Sequence, residues 1–216
     1  MKTLYIVRHG ETLLNLLNRS QGWADSPLTQ KGTDQAIDLG NRFGKAGIHF
    51  DSAFCSDTGR ARQTVQQILM SSNNTTARVQ ENIHLREASF GRFEGADNDE
   101  MWAQGGAAVG ETGMSRKSSI GRKIKALSGI KRLDTIHYAE DYTDVQKRIK
   151  SFQETLCHTH ASNILIVTHS LYICCLVYTL IDDQQVIDKV PNCSVTKLTL
   201  ENNKFQLGYI GRTNQF

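Results

Sequence analysis

Residues 4–10, Leu-Tyr-Ile-Val-Arg-His-Gly, and residues 164–170, Ile-Leu-Ile-Val-Thr-His-Ser, are two short apolar runs that each lead into a histidine. Runs that are apolar on successive residues are typical of strands covered on both faces of a sheet. A third such run, Ala53 to Cys55, lies between them. Each run is followed by polar residues and then by a helical pattern. This alternation predicts an α/β fold, a three-layer α/β/α sandwich with a mostly parallel central sheet and a small cap.

Other patterns add elements around these strands. Apolar residues at helical spacing between the runs at residues 4–7 and 53–55 predict a helix that Thr29 caps and Gly47 ends. Residues 171–181 predict a buried helix, since their apolar run is too short and too polar for a membrane span. Residues 194–200 and 205–210 alternate in period two around a turn, which is typical of a β-hairpin. Its outer strand could pair with a second copy, so monomer and dimer both stay open.

Residues 95–142 differ from the rest of the chain. They hold seven of the 17 glycines and few apolar residues in register, which favours a cap inserted into one domain of residues 1–216. Within this segment, residues 116–132 contain seven Lys or Arg and no acid. Such a run could attract phosphorylated ligands or nucleic acid, but a solvated helical face balanced by acidic neighbours is the favoured interpretation.

The composition of the chain limits the classes of function that it could have. The chain has 216 residues, 39% hydrophobic and 22% charged, with a mean hydropathy of −0.40, as expected of a soluble globular protein. A net charge of +3 gives no general field for nucleic acid. Five cysteines without disulfide or CxxC spacing predict a reducing compartment. With too few apolar residues at the amino terminus for a signal peptide, a cytoplasmic location without membrane association is expected.

The chemistry is expected at the strand ends. In a parallel sheet the carboxyl ends of strands share one crevice, so His9 and His169 are predicted to converge. Arg8 adjoins His9. Arg60 lies in the first turn of the helix that follows the run at residues 53–55, where backbone N–H groups favour anions. Arginine binds phosphate oxygens bidentately, and a neutral imidazole can attack phosphorus. For Arg62, which points in another direction, a surface ion pair is favoured.

These residues belong to longer motifs. Residues 8–15, Arg-His-Gly-Glu-Thr-Leu-Leu-Asn, resemble the RHGxTxxN signature of the histidine phosphatase superfamily, the phosphoglycerate mutase-like proteins. Further blocks match in the family's order at residues 21–32, 56–64, 85–95 and 167–169. Five blocks in order are far more specific than a lone RHG. The resemblance covers residues 3–95 and 140–210 and implies the phosphoglycerate mutase-like fold.

The resemblance implies roles residue by residue. His9 would be the nucleophile that forms a phosphohistidine, and Glu87 would be the proton donor. Arg8, Arg60 and His169 would complete the phosphate pocket. Two arginines and a second imidazole can neutralise a phosphoryl group without a metal, so neither a metal nor a cofactor is expected.

Substrate contacts are expected from four residues: Asn15, Gln21, Gly22 and Ser170. The last departs from the family, which commonly has glycine there. A side chain at that position narrows the pocket or adds a hydroxyl contact. The alternative for Glu87 is an exposed carboxylate paired with Arg86 or Arg92.

The acidic block favours one activity. Mutases of the family usually continue the acid with Arg-His-Tyr-Gly and carry a proline-rich insert after an Arg-Arg pair. Here residues 88–91 are Ala-Ser-Phe-Gly, and no proline lies between Pro27 and Pro191. The favoured hypothesis is a metal-independent phosphatase acting on a small phosphorylated metabolite. A phosphoglycerate mutase and a catalytically weak phospho-ligand binding module are the alternatives.

Two further features have ordinary interpretations. Trp23 and Trp102 could contact substrate, and Trp23 is the better placed because it lies in a matched block, although packing is favoured for both. Cys157, His158 and His160 resemble metal ligands. Since they fall at the predicted end of a helix, a structural role is favoured and no metal site is predicted.

Overall fold

The structure, a computed structural model, describes residues 1–181 and 190–216. The strands are β1 (Lys2–Arg8), β2 (Ser52–Cys55), β3 (Val79–Glu81), β4 (Asn163–Thr168), β5 (Val195–Glu201) and β6 (Lys204–Arg212). The helices are α1 (Leu13–Leu16), α2 (Gln30–Lys45), α3 (Gly59–Ser71), α4 (Asn98–Ala107), α5 (Ile120–Leu133), α6 (Tyr142–His158) and α7 (Ser170–Leu180). The three predicted strands, the buried helix and the hairpin are all confirmed.

The six strands form one sheet in the order β3-β2-β4-β1-β5-β6. The first four in this order are parallel, and the hairpin β5-β6 joins antiparallel to β1. The register of β1 on β4 sets Arg8 opposite Thr168. The next residue of each strand is therefore a histidine, and the two histidines leave the sheet side by side.

Alternation along the central strands divides the core into two layers. Leu4 and Ile6 of β1 pack on one face, in a cluster with apolar residues of α4, α5, α6 and α7. Tyr5 and Val7 pack on the other face with residues of α2 and α3. Successive residues of the strand are thus buried against different helices, which explains the continuous apolar run. The expected three-layer sandwich is confirmed.

Helix α2 begins and ends as predicted. The Thr29 side chain accepts a hydrogen bond from the backbone N–H of Gly32, which satisfies one free donor of the first turn. Gly47, one residue past the C-cap, has φ +65°, a conformation that costs glycine little.

Residues 95–142 are more regular than the sequence pattern indicated. They contain α4 and α5, whose Met101, Leu127 and Ile130 are buried in the main apolar cluster. The two helices cross at Gly105 and Gly129, where a Cβ on Gly129 would collide with the Gly105 carbonyl oxygen. Because backbones meet directly at this crossing, glycines replace part of the apolar stripe that would have predicted it.

Over the residues that the structure describes, no helix combines the length and apolar character needed to cross a bilayer.

Candidate active site

His9 directly follows β1 at the carboxyl edge of the sheet. Nδ1 of its ring lies 2.8 Å from the carbonyl oxygen of Gly10. Because a carbonyl oxygen can only accept, Nδ1 carries the ring proton and Nε2 keeps its lone pair. Burial, with the charges of Arg60 and Arg8, holds the pKa of His9 well below its ordinary value. The ring is therefore neutral, and Nε2 can act as a nucleophile.

Gly10 is required by close backbone packing. Its N–H donates to Oγ1 of Thr64 at 3.0 Å, and this hydroxyl donates to the carbonyl oxygen of Arg60 at 2.7 Å. A Cβ on Gly10 would collide with the carbonyl oxygen of Gly32 in α2. A glycine after the histidine thus lets the strand end pack against two helices and fixes the imidazole between them.

His169 forms the N-cap of α7 and is fully buried. Its ring centroid lies 5.2 Å from that of His9, so the predicted convergence is confirmed. Nη2 of Arg60 lies 3.1 Å from Nδ1 of His169. Since a guanidinium can only donate, Nδ1 accepts and Nε2 carries the proton. Burial, followed by the charge of Arg60, lowers the pKa of His169 well below its ordinary value, which leaves a neutral ring with a donor at Nε2.

Arg60 is completely buried in the first turn of α3. Its guanidinium donates to the carbonyl oxygens of Gly22 at 2.7 Å and Ala24 at 2.8 Å. It also donates to Oδ1 of Asp25 at 2.9 Å. Burial lowers the pKa of Arg60, and the carboxylate of Asp25 opposes that effect. The guanidinium is therefore held rigidly and keeps a compensating negative charge on one side.

Three buried N–H groups of these residues lack a hydrogen-bond partner among the described residues: Nε of Arg8, Nε of Arg60 and Nε2 of His169. Native proteins rarely leave buried donors unbonded. All three belong to side chains gathered around His9, and two of them carry positive charge. An oxyanion such as a phosphoryl group would satisfy such donors.

Glu87 follows the short 3-10 turn Ile83–Leu85, lines the cavity and is 6% exposed. Its carboxylate accepts from the backbone N–H groups of Leu171 at 3.0 Å, Tyr172 at 2.8 Å and Ala88 at 3.0 Å. Burial is the largest influence and raises the pKa of Glu87, although these three N–H groups act in the opposite sense. The carboxyl group thus keeps a proton at a higher pH than a free glutamate does, as a general acid needs.

The neighbours of Glu87 hold its backbone in place. Nη2 of Arg148 lies 3.2 Å from the Glu87 carbonyl oxygen and 2.7 Å from Oε2 of Glu140. Arg86 pairs instead with Asp57, with its Nε 2.7 Å from Oδ1. The alternative of an exposed Glu87 paired with a neighbouring arginine is therefore wrong.

The loop that binds Arg60 depends on one carboxylate. Glu94 accepts from four backbone N–H groups, those of Gly22, Trp23, Ala24 and Phe90, at 2.8–3.0 Å. These bonds fix the two carbonyl groups that receive the arginine guanidinium. Glu94 thus acts on the site through the backbone of the loop.

A cavity of about 560 Å³ opens above this arrangement. Six of the predicted site residues line it: Arg8, His9, Asn15, Gln21, Glu87 and Ser170. Leu171, whose backbone N–H binds Glu87, lines it as well. Arg60 and His169 are fully buried and are not among the lining residues. The predicted contact residue Gly22 is not among the described residues that line the cavity. Its carbonyl oxygen instead accepts a hydrogen bond from Arg60.

The structure adds a site residue that the sequence did not indicate. Nδ2 of Asn192 donates to the carbonyl oxygen of His9 at 2.9 Å and to Oδ1 of Asn15 at 3.3 Å. Because Oδ1 of Asn15 accepts, its amide N–H groups remain available to a ligand. Asn192 precedes the hairpin and belongs to no motif that we recognised, so nothing in the sequence pointed to it.

The rim differs from expectation in the relative placement of the two tryptophans and in part of the basic run. Trp102 lines the cavity, whereas Trp23 lies against Arg86 and donates its ring N–H to the Glu87 carbonyl oxygen at 3.0 Å. Cations of the basic run also line the cavity, at Arg116, Lys117 and Lys123. Arg116 and Lys117 precede α5 and are exposed, and Arg122 and Lys125 pair with the acidic neighbour Glu111, as expected of a solvated face. Lys123 differs from that expectation because it is half-buried at the cavity.

The remaining predictions concern the periphery. Arg62 forms the expected surface ion pair, with Nη2 2.6 Å from Oε2 of Glu81. His158 is the last residue of α6, and its ring lies 2.7 Å from the carbonyl oxygen of Glu154. In the described part of the chain, no group of three or more potential metal ligands was found.

Comparison with known proteins identifies the family. Residues 4–213 match the model of the histidine phosphatase superfamily (branch 1). A 2,3-bisphosphoglycerate-dependent phosphoglycerate mutase of Bartonella bacilliformis is 37% identical over 106 residues. That match spans about half of each protein, 48% of this chain and 52% of the relative.

Solved structures match over nearly the full length. A phosphoglycerate mutase of Bacillus anthracis has a TM-score of 0.88 and 34% identity, with 98% of this chain and 93% of that chain covered. A phosphoserine phosphatase of Entamoeba histolytica has a TM-score of 0.71 and 22% identity, with 99% and 98% covered. The second similarity concerns the fold alone. Mutases and phosphatases thus both occur among the proteins that this chain resembles.

Proposed function

The chain belongs to the histidine phosphatase superfamily, and we propose that it is a metal-independent phosphatase that hydrolyses a small phosphomonoester. The observation that carries the proposal is a neutral His9 with a free Nε2, surrounded by three buried N–H groups that lack partners among the described residues. Such a site supplies a nucleophile and the charge neutralisation that phosphoryl transfer requires.

In the first step, the Nε2 lone pair of His9 attacks phosphorus and forms a P–N bond. The P–O bond to the leaving group breaks in line with the attack. Arg8, Arg60 and the Nε2 proton of His169 bind the phosphoryl oxygens, and the donors stand in place before the reaction. Glu87 gives its proton to the leaving oxygen, so an alcohol departs.

In the second step, water attacks the phosphohistidine. The Glu87 carboxylate takes a proton from that water, the P–N bond breaks, and inorganic phosphate leaves. His9 regains its lone pair and Glu87 regains its proton. The residues thus return to their starting protonation states without any further reactant.

The proposal includes the setting of the enzyme. Five free cysteines, four of them buried, support a reducing compartment such as the cytoplasm. Residues 95–142 would serve as the cap of a single catalytic domain, because α4 and α5 stand at one wall of the cavity.

The test is phosphate release from p-nitrophenyl phosphate and from a panel of alkyl phosphates, with EDTA present. We expect His9→Ala to lower kcat/KM by at least about 10⁴-fold, as loss of a nucleophile does elsewhere. His49→Ala, which removes an exposed histidine, serves as the control and should behave as wild type. Turnover that survives in His9→Ala, or that EDTA abolishes in wild type, would overturn the proposal.

The second candidate is a phosphoglycerate mutase, which the similarity to the Bacillus anthracis protein favours. A mutase returns the phosphoryl group to the substrate rather than to water. Interconversion of 2- and 3-phosphoglycerate that depends on a bisphosphoglycerate primer and exceeds phosphate release would favour this candidate.

A further inference from the structure

Residues 190–194 bind the end of β1 just before the histidine that we propose as the nucleophile. The backbone N–H of Cys193 donates to the carbonyl oxygen of Arg8 at 3.0 Å, and the Arg8 N–H donates to the carbonyl oxygen of Ser194 at 3.3 Å. Nη1 of Arg8 donates to the carbonyl oxygen of Val190 at 2.9 Å. The segment thus holds both the backbone and the side chain of this arginine.

The backbone of this segment is strained where it turns. Cys193 has φ +51°, a left-handed conformation that residues with a side chain rarely adopt. Its side chain is buried, and the next N–H, that of Ser194, donates to the carbonyl oxygen of Pro191 at 3.1 Å. Strain of this kind persists only where the surroundings hold it, and it is concentrated at functional sites. The residue that the turn places at the cavity is Asn192.

Two backbone groups determine which way the amides of Asn192 and Asn15 face. A carbonyl oxygen only accepts, so the contact with His9 at 2.9 Å requires Nδ2 of Asn192 as the donor. A backbone N–H only donates, so the contact with Thr12 at 3.4 Å requires Oδ1 of Asn15 as the acceptor. Nδ2 of Asn192 and Oδ1 of Asn15 then meet as donor and acceptor at 3.3 Å. Each amide therefore has one orientation.

This orientation gives the cavity a directed donor. Asn15 lines the cavity, and its amide N–H groups have no partner among the residues that the structure describes. Turned the other way, the same amide would present its oxygen to the cavity. An ionised phosphoryl group offers only acceptor atoms, so the orientation of this amide decides between a hydrogen bond and repulsion.

We propose that Asn192 is a positioning residue, which fixes the Asn15 amide with its N–H groups toward the phosphoryl oxygens. This inference rests on the proposed function, which places a phosphoryl group at His9. An amide nitrogen has two hydrogens, and those of Asn192 are used by His9 and Asn15. Asn192 therefore acts on the substrate through Asn15.

Asn192→Asp tests the orientation. A carboxylate keeps the size of the side chain but cannot donate, so it repels Oδ1 of Asn15 and favours the reversed amide. We expect kcat/KM for p-nitrophenyl phosphate to fall about 100-fold, and about tenfold in Asn192→Ala, which only releases the amide.

The matched control for the added charge is Asn98→Asp. It makes the same chemical change at another residue of the cavity lining, in the first turn of α4. We expect a loss in kcat/KM of less than about threefold, because an exposed charge is screened by water. Equal losses in Asn98→Asp and Asn192→Asp would overturn the inference.

A double-mutant cycle distinguishes positioning from a general structural role. In an Asn15→Ala background the amide is absent, so Asn192→Asp should cost less than about threefold in kcat/KM instead of about 100-fold. The same loss in both backgrounds would overturn the inference. Thermal melting checks that each variant is folded. If Asn192→Asp is not, Asn192→Ala takes its place, with expected losses of about tenfold in wild type and less than about threefold in Asn15→Ala.

A binding measurement separates this inference from the proposed function. Calorimetry with inorganic phosphate gives a Kd without turnover for wild type, Asn192→Asp, Asn15→Ala and the double variant. Weaker binding by Asn192→Asp that disappears in the Asn15→Ala background, together with no phosphate release from any phosphomonoester, would refute the phosphatase and support the positioning role. Phosphate release with the same Kd and kcat/KM in Asn192→Asp and wild type would do the reverse.

Discussion

The floor of the site, formed by His9, Arg60 and His169, and the wall that contains Lys123 of α5 are built in opposite ways. The floor consists of strand ends and first turns of helices, where His9, Arg60 and His169 are buried. His9 and Arg60 bind backbone carbonyl groups, and His169 accepts from Arg60. The wall consists of Arg116 and Lys117, which precede α5, and Lys123 on α5, a helix that packs on α4 through glycine. The first arrangement holds the reacting groups in place before a substrate binds, and the second presents charge to whatever fills the cavity. The comparison suggests that chemistry and substrate choice are separately encoded.

Among the further changes to the floor, replacement of Arg60 by lysine is expected to have the largest effect on kcat/KM. A lysine keeps the charge but cannot reach two carbonyl groups, Asp25 and Nδ1 of His169 at once. We expect kcat/KM for p-nitrophenyl phosphate to fall on the order of 10²–10³-fold, as when a preorganised donor is lost. Arg62→Lys, two residues along the same helix in an exposed ion pair, should change the rate less than about twofold. Similar losses in both variants would mean that buried placement does not matter.

The sequence predicted the floor far better than the wall. Strand and helix patterns identified His9, His169 and Arg60, because each lies next to an element with a strong local pattern. The motifs of the family resemblance identified Glu87. The place of Lys123 at the cavity was missed because α5 packs on α4 at Gly105 and Gly129, a long-range contact without apolar periodicity. Asn192 was missed for a similar reason, since its partners are far away in the chain.

The next test asks whether Glu87 donates a proton. Glu87→Gln keeps the shape of the side chain and one oxygen that can accept from the backbone N–H groups. A general acid matters most for a basic leaving group. We expect kcat/KM to fall about 100-fold for an alkyl phosphate and less than about tenfold for p-nitrophenyl phosphate. Equal losses on both substrates would contradict proton donation by Glu87.

The pH profile gives a second measurement on the same variant. Activity requires unprotonated His9 and protonated Glu87. The pKa of His9 is lowered by burial and the pKa of Glu87 is raised by burial, so kcat/KM should decline at low pH as His9 gains a proton and at high pH as Glu87 loses one. The high-pH decline should disappear in Glu87→Gln and remain in an exposed control, Glu81→Gln.

The smallest effect is expected at the wall. Gly129→Ala forces a Cβ against the Gly105 carbonyl oxygen and should lower the free energy of unfolding by about 1–3 kcal/mol. Gly121→Ala, on the same helix, has no heavy atom within 4 Å of the new Cβ and should raise it by up to about 1 kcal/mol. Thermal melting measures both changes. Two equally stable variants would show that the helix crossing is less tight than described.

The sheet order also bears on how the protein is made. β1 lies between β4 and β5, both of which come much later in the chain. During translation at about 5–20 residues per second, β1 waits on the order of ten seconds for its first partner. Its apolar run is exposed as an open edge for that time, and non-local pairing of this kind folds slowly. We therefore expect the nascent chain to need protection from aggregation until β4 is made, and no truncated product that stops before β4 can contain the histidine pair.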